Sequence, residues 1–383
     1  MPPEPRRPPS LACTPRSAPG RSRPVLALVL LVLLLPVPVA GDPASATRPA
    51  APVTVDQMRL LDATEGSFLD KYTIEARLDG GATVYFSILH RSFGVGRTEF
   101  LVRSVYKDEA GRQHAAEARL RPGEWRMAVG EQLELRLGDH ALVGTPAQWT
   151  IAVRQAAHSF SLTFRPLDPP WRPAAGRYRF GPRQQTFLET TVLAPRAAVT
   201  GTVRVGDRSR PVQGTGYALH TVANLAPHEL ADRWLLFRTE VGPLSIYLRE
   251  IDLTERWGGR PLRWLLVARE GRILFQGSDV DLTWEEVRRD EQHAERYPLP
   301  GVVRLRARAA GQELTGTFRV TAPRTRDDLL AGLSLVERTL AALFAKPVSY
   351  TFQASYELWI GDGVTSPEPY RGQGVLELDH LNP

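Results

Sequence analysis

The stretch Val212–Arg238, VQGTGYALHTVANLAPHELADRWLLFR, decides how this chain is read. Gly214-Thr-Gly216 interrupts a strand-forming run. Beyond it Tyr217, Leu219 and Thr221 fall on one face of a strand, and Ala218, His220 and Val222 on the other. Ala226-Pro227 marks a reversal into a short helical piece, with Pro227 at a first-turn position where its missing N–H costs nothing. Trp234, Leu236 and Arg238 then alternate with Leu235 and Phe237, as in a second strand. Period-two patterning on both sides of a tight reversal predicts β-structure, with His220 beside the turn and Trp234 returning close to it.

The pattern extends in both directions. Upstream, Tyr72–Leu78 and Thr83–His90 flank Asp79-Gly80-Gly81, a hairpin signal, and Glu99–Tyr106 and Ala116–Leu120 flank a turn at Asp108–Gly111. Leu133, Leu135 and Leu137 alternate with Glu134 and Arg136, giving one dry and one wet face, and Trp149–Val153 and Ser159–Phe164 repeat this. Asp168–Trp171, with its proline pair, closes a first group of strands. Downstream, Ala198–Val205 and Pro211–Leu219 flank Gly206-Asp207, Leu244–Ile251 alternates, and Trp264–Ala268 and Arg272–Gln276 flank Arg269-Glu270-Gly271. Asp279–Val287, Val302–Ala307, Glu313–Val320, Ser349–Ile360 and Gly374–Leu378 continue the series. Regular short strands broken by Gly, Pro and Asp predict an all-β protein, and two strand-rich halves of similar length predict two barrels. No residue-level repeat links the halves.

Two helices are expected as exceptions, a short one at Val55–Ala63 and an amphipathic one from Thr325 to Phe344. In the second, Leu329, Leu330, Leu333, Val336, Leu340 and Leu343 recur at helical spacing, Thr325 with Asp328 forms the N-terminal cap, and Pro347 marks the stop. Its polar face carries both signs of charge, which suits a helix packed on a barrel wall better than one lying on a membrane surface.

Of the 383 residues, the first 46 read as an export signal and leader. Arg6, Arg7, Arg16, Arg21 and Arg23 precede an apolar run from Val25 to Leu35, which is too short and too soon followed by Pro36 and Pro38 to span a membrane. Cleavage sites of small residues occur at Val39-Ala40-Gly41 and Ala44-Ser45-Ala46. Loss of the first 40 residues removes five Arg and one Glu, so the formal charge falls from +6 to +2 and nucleic acid is a poor partner. The single cysteine, Cys13, lies inside the signal, so the exported chain has no disulfide and no thiolate ligand.

Catalytic motifs fall short. His228-Glu229-Leu230-Ala231-Asp232 has Asp where a zinc peptidase needs its second His, and no third ligand is evident. Gly214-Thr-Gly216 and Gly94-Val-Gly96 do not complete a dinucleotide fingerprint, and neither a phosphate-binding Gly-Lys-Ser/Thr nor a Gly-x-Ser-x-Gly elbow occurs. His220 remains. Acid–base work would require a carboxylate partner for it, with Asp232 or Glu377 as candidates, whereas a structural His needs only hydrogen bonds.

Several stretches taken in order resemble the survival-factor-one family, within the carotenoid hydratase and AttH-type group of tandem lipocalin-like proteins. They are Trp149-Thr-Ile, Leu162-Thr-Phe, Pro170-Trp171, Gly176, Phe180-Gly181, Pro195-Arg196 and Val199-Thr-Gly201, then Gly216-Tyr217, His220, Pro227-His228, Ala231, Arg233-Trp234 and Phe237. Trp284, Tyr297-Pro298, Gly372-Gln-Gly374 and Glu377-Leu378 close the series. Hydratase-type members carry an Asp-His pair inside a Trp-rich segment. Here Tyr217 stands at the Trp position and Leu219 at the Asp position, while His220 is kept and Val222-Ala223 replaces the following Trp-Gly. The resemblance therefore implies a carrier of the survival-factor type more than an enzyme.

The resulting expectation is two lipocalin-like antiparallel β-barrels in tandem, at 47–197 and 198–383, with one amphipathic helix in the second half. A long apolar ligand, lipid or isoprenoid, is bound non-covalently near the junction of the barrels, with Tyr217, His220 and Trp234 orienting its polar end. No cofactor, metal or catalytic residue is assigned. Membrane-surface contact and oligomeric state stay open, and the setting is secreted or periplasmic. A hydratase or isomerase using His220, and a ligand-free envelope module, are the alternatives.

Overall fold

A computed structural model describes residues 52–61, 66–93, 98–173, 176–328, 346–361 and 368–382. Twelve strands form the first sheet: β1 (Ser67–Leu78), β2 (Thr83–Phe93), β3 (Glu99–Lys107), β4 (Gln113–Arg119), β5 (Trp125–Val129), β6 (Leu133–Leu137), β7 (His140–Thr145), β8 (Gln148–Arg154), β9 (His158–Pro166), β10 (Arg177–Phe180), β11 (Thr186–Val205) and β12 (Arg208–Ala223). A one-turn helix, α1 (Pro227–Leu230), leads into the second. That sheet holds β13 (Ala231–Val241), β14 (Ser245–Leu253), β15 (Pro261–Arg269), β16 (Arg272–Gly277) and β17 (Asp279–Glu285), then, after the small ribbon β18 (Arg288–Arg289) with β19 (Pro298–Leu299), β20 (Val302–Ala309), β21 (Gln312–Asp328), β22 (Val348–Gly361) and β23 (Tyr370–His380).

All pairings within these sheets are antiparallel, and the two sheets follow one plan. The first runs β4-β3-β2-β1-β12-β11-β9-β8-β7-β6-β5, and the second runs β16-β15-β14-β13-β23-β22-β21-β20-β17. In each, four strands meander outward from the first, the last strand pairs with the first, and the two edges are sequence neighbours. Each sheet is thus curled into a barrel with its seam between consecutive strands, β4 and β5 in one and β16 and β17 in the other. The repeat lies in the order of pairing, which explains its absence from the residues. The expected division at 197 and 198 falls inside β11. The sheets instead part between Ala223 and Ala231, because β11 and β12 stay paired with β9 and β1.

Local sequence sets the turns as expected. Gly80 and Gly81 take φ of 84° and 94°, a left-handed conformation that costs glycine nothing, and the Leu78 N–H donates to the Ala82 carbonyl at 2.8 Å. Gly214-Thr-Gly216, in contrast, does not interrupt its strand. A Cβ at Gly216 would meet Phe164 at 2.5 Å and Val199 at 2.7 Å, so the glycine is there to let β12 cross closely under two core side chains. Proline enters long strands at bulges, Pro195 in β11 and Pro323 in β21.

The two helix expectations meet other structure over their described residues. Val55–Met58 is a single 3-10 turn, after which Arg59 is extended. Thr325 to Asp328, expected as a helix cap, finish β21 and pair with Val348–Thr351, so the ladder and not a helix satisfies their backbone. The remaining helical stretch, 329–344, lies outside the described residues.

Strand alternation builds three cores. Tyr72, Ile74, Phe86, Trp149, Phe164 and Ala218 point into the first barrel. Leu235, Phe237, Phe275, Phe318 and Tyr350 point into the second. Between them lies an aromatic cluster that includes Trp171, Tyr178, Tyr217, Trp234, Tyr247 and Trp264. Members of the first two clusters have essentially no solvent contact, so side chains occupy the described interior of each barrel.

Candidate functional site: a groove between the barrels

The two polar residues on β12 that the sequence singles out point in opposite directions. Tyr217 joins the cluster between the barrels, whereas His220 shares the face of Ala218 and lies inside the first barrel. The register that sets Tyr72 opposite His220 stacks their rings, with centroids 4.0 Å apart. His220 Nε2 lies 2.8 Å from Asp70 Oδ1, and Nδ1 lies 3.2 Å from the Gln57 carbonyl. Asp70 Oδ2 accepts the Leu61 N–H at 2.5 Å, and the Tyr72 hydroxyl donates to the Met58 carbonyl.

The carboxylate partner is thus Asp70, neither Asp232 nor Glu377. A carbonyl can only accept, so Nδ1 carries a proton, and the other nitrogen is occupied by Asp70. Neither nitrogen faces open space. An acid–base histidine needs one nitrogen for its orienting carboxylate and one for substrate. His220 has none left. Its hydrogen bonds instead fasten the 3-10 turn across the end of the barrel.

Trp234 also has a packing role, buried in the cluster between the barrels with the Arg249 guanidinium over its ring at 4.7 Å. The near-zinc motif is structural as well. Glu229 caps its own turn by accepting the Ala226 N–H at 2.9 Å, and Asp232 accepts from Asn382 at 2.9 Å.

Of the three expected ligand contacts, Tyr217 lines a groove between the barrels, and His220 and Trp234 are not among the residues lining it. A cavity of about 1190 Å³ runs between the outer face of β1–β4 and the facing parts of β13, β21, β22 and β23. Its floor brings together Lys71, Glu75, Tyr217, Arg238 and Glu377. Arg238 donates to Glu75 at 2.5 Å and reaches Glu377 at 3.5 Å, and its guanidinium lies 5.1 Å from the Tyr217 ring centroid. Burial opposes the charge on Arg238, but Glu75 and Glu377 more than offset it and hold its pKa above the ordinary value. Burial, with Glu377 and Glu240 nearby, raises the Glu75 carboxyl although Arg238 opposes this. Lys71 is exposed to the groove although deep in the protein, and Tyr85, then Asp379 and Glu377, hold its ammonium above the usual value against the cost of burial. Burial pushes the Tyr217 hydroxyl well up, and this hydroxyl has no hydrogen-bond partner among the described residues.

Sequence reasoning did not single out Asp70, Lys71, Glu75 or Arg238 as site residues. A signal existed for two of them. Asp70 occupies an inward position of an otherwise apolar alternation, and Lys71 is one of three lysines in an arginine-rich chain.

No protein-family model matches the chain. The ceramide-binding protein svf1 of Emericella nidulans is 24% identical over 166 residues, which are 42% of this chain and 43% of that protein. The match therefore spans less than half the length of that relative. Among solved structures, a putative AttH from Nitrosomonas europaea aligns over 87% of this chain and 98% of its own, with a TM-score of 0.55 at 13% identity. Kievitone hydratase from Nectria haematococca aligns over 88% and 98%, with a TM-score of 0.53 at 13% identity. These structures share the fold, and the class is that of tandem lipocalin-like barrels. Within it, the chain is similar in sequence to the svf1 relative and in fold to the AttH and kievitone hydratase structures.

Proposed function

We propose that this protein binds an amphiphilic lipid non-covalently in the groove between its barrels, as a carrier. The observation that carries the reading is the position of open space. Buried side chains occupy the described interior of each barrel, while about 1190 Å³ stands open between the barrels and is bordered by Tyr217. A volume of this size slightly exceeds the roughly 300–1,000 Å³ of ordinary ligand sites, as a long lipid requires. The svf1 relative, described as ceramide-binding, supports a lipid as cargo.

The sequence suggested a long apolar ligand, whereas the groove is only partly apolar. Leu101, Val105, Leu244 and Val375 line it together with many charged groups, so burial supplies only part of the affinity and polar contacts select the head. His220 and Trp234 are assigned to the scaffold and Tyr217 to the ligand. Acid–base chemistry at His220 is disfavoured because both its nitrogens are engaged inside the barrel. The arginine-rich, then apolar, N-terminal sequence supports export to a periplasm or the medium. N-terminal sequencing of the protein recovered from its own cell envelope tests that part.

Native mass spectrometry of the purified protein, followed by lipid extraction, tests the carrier reading. A stoichiometric lipid is expected on the natural protein. It should be lost in Thr73→Trp, which fills the groove from its lining on β1. A lipid-free mass that persists after incubation with total envelope lipid would overturn the proposal and favour a structural envelope module.

A further inference from the structure

The two walls of the groove carry opposite charge. On the first-barrel wall, Lys71, Arg77, Arg91, Arg103, Lys107, Arg119 and Arg196 face only Glu75, Glu99 and Glu117, seven cations to three carboxylates. On the second-barrel wall Arg238 stands alone against Glu240, Asp327, Asp328 and Glu377, one cation to four carboxylates. Where the walls meet, opposite charges pair directly across the groove, Arg77 with Glu240 at 3.1 Å and Glu75 with Arg238 at 2.5 Å. Elsewhere the same complementarity is left incomplete. Lys71 and Arg103 on one wall and Asp327 on the other make no ion pair with any described residue, and all three are exposed to solvent. Tyr217 also lines the groove, with its hydroxyl buried behind the lining.

We propose that the groove recognises a zwitterionic head, its phosphodiester on the Lys71 and Arg103 wall and its ammonium on the Asp327 and Glu377 wall. The proposal rests on the carrier reading and names the class of lipid. A purely anionic head would satisfy one wall and approach the carboxylates of the other uncompensated. An uncharged head would leave both walls incomplete. A zwitterion restores between the separated walls the pairing they make directly where they touch.

Calorimetric titration of the natural protein with short-chain phosphatidylcholine, phosphatidylglycerol, diacylglycerol and free phosphocholine tests this. Phosphatidylcholine should bind about ten-fold tighter than either of the other lipids, the order expected of two partly screened ion pairs, with the preference shrinking as salt rises. Arg103→Glu and Asp327→Lys should each abolish the preference, and the double variant should restore part of it by accepting the head in reverse. Equal binding of all three lipids would overturn the zwitterion proposal and leave the carrier reading intact. Free phosphocholine binding as tightly as the lipid would overturn the carrier reading itself. Single variants that bind like the natural protein would remove the two walls from recognition.

Discussion

His220 and His380 hold matching places in the two barrels and meet different surroundings. Each lies at the end of the last strand of its sheet, β12 or β23, which pairs with the first strand, β1 or β13. Each ring stacks on a tyrosine, Tyr72 at 4.0 Å and Tyr297 at 4.4 Å. Each has a nitrogen on a backbone carbonyl of a segment crossing the barrel, Gln57 at 3.2 Å and Pro298 at 3.1 Å. The second nitrogen of His220 faces the Asp70 carboxylate. Near His380 the available carboxylate, Asp290, is taken by the Tyr350 hydroxyl at 2.7 Å, and Arg233 and His293 add positive charge. Burial first, then those two cations, pushes His380 down to about 4 although the Pro298 carbonyl opposes it. The position in the repeat fixes where the ring sits. The neighbouring groups decide what its second nitrogen meets.

The largest effect should come from breaking the first barrel's pair. Asp70→Ala leaves a buried imidazole facing a void, and a loss of about 3–5 kcal/mol is expected, measured as a shift of the denaturant midpoint. Among the described residues no carboxylate bonds His380, so Asp290→Asn should cost less. Equal losses would break the comparison.

Acid sensitivity should come next, and from the second barrel. His380 stays neutral in the fold to about pH 4, whereas the unfolded chain takes up its proton near pH 6.5. Between these values the unfolded state holds the extra proton, so stability falls as pH drops from about 6.5 to 4, by up to about 3 kcal/mol from this one group. His380→Phe should flatten that limb of the pH–stability curve. An unchanged slope would show that His380 is not held neutral.

The smallest effect on stability should be that of Tyr217→Phe. Removing a buried hydroxyl without a partner among the described residues should leave stability within about 1 kcal/mol of the natural protein or raise it slightly. A large destabilisation with unchanged binding would assign Tyr217 to the scaffold with His220.

Much of the strand pattern was legible because many barrel strands have one dry face, as Leu133, Leu135 and Leu137 show, and because hairpin glycines mark their turns. What stayed illegible is non-local. The pairing of β1 with β12 joins residues about 150 positions apart, and through it β12 belongs to the first barrel and Asp70 reaches His220. The groove is harder still, since its walls come from outward faces of two barrels, where polar residues read as ordinary solvated surface. Alternation placed Tyr217 and His220 on opposite strand faces. Proximity in sequence grouped them as one site, and the geometry separates them.

The most direct test of the account is to locate bound lipid by photo-cross-linking. A phosphatidylcholine with a diazirine in its acyl chain would be bound, irradiated and mapped by peptide mass spectrometry. Labels on Tyr85, Leu101, Thr351 and Val375, all lining the groove, are predicted, with labelling lost in Thr73→Trp. Labels on Ile74, Phe86 or Phe164, inside the first barrel, would contradict the account and show that the lipid enters a barrel and not the space between them.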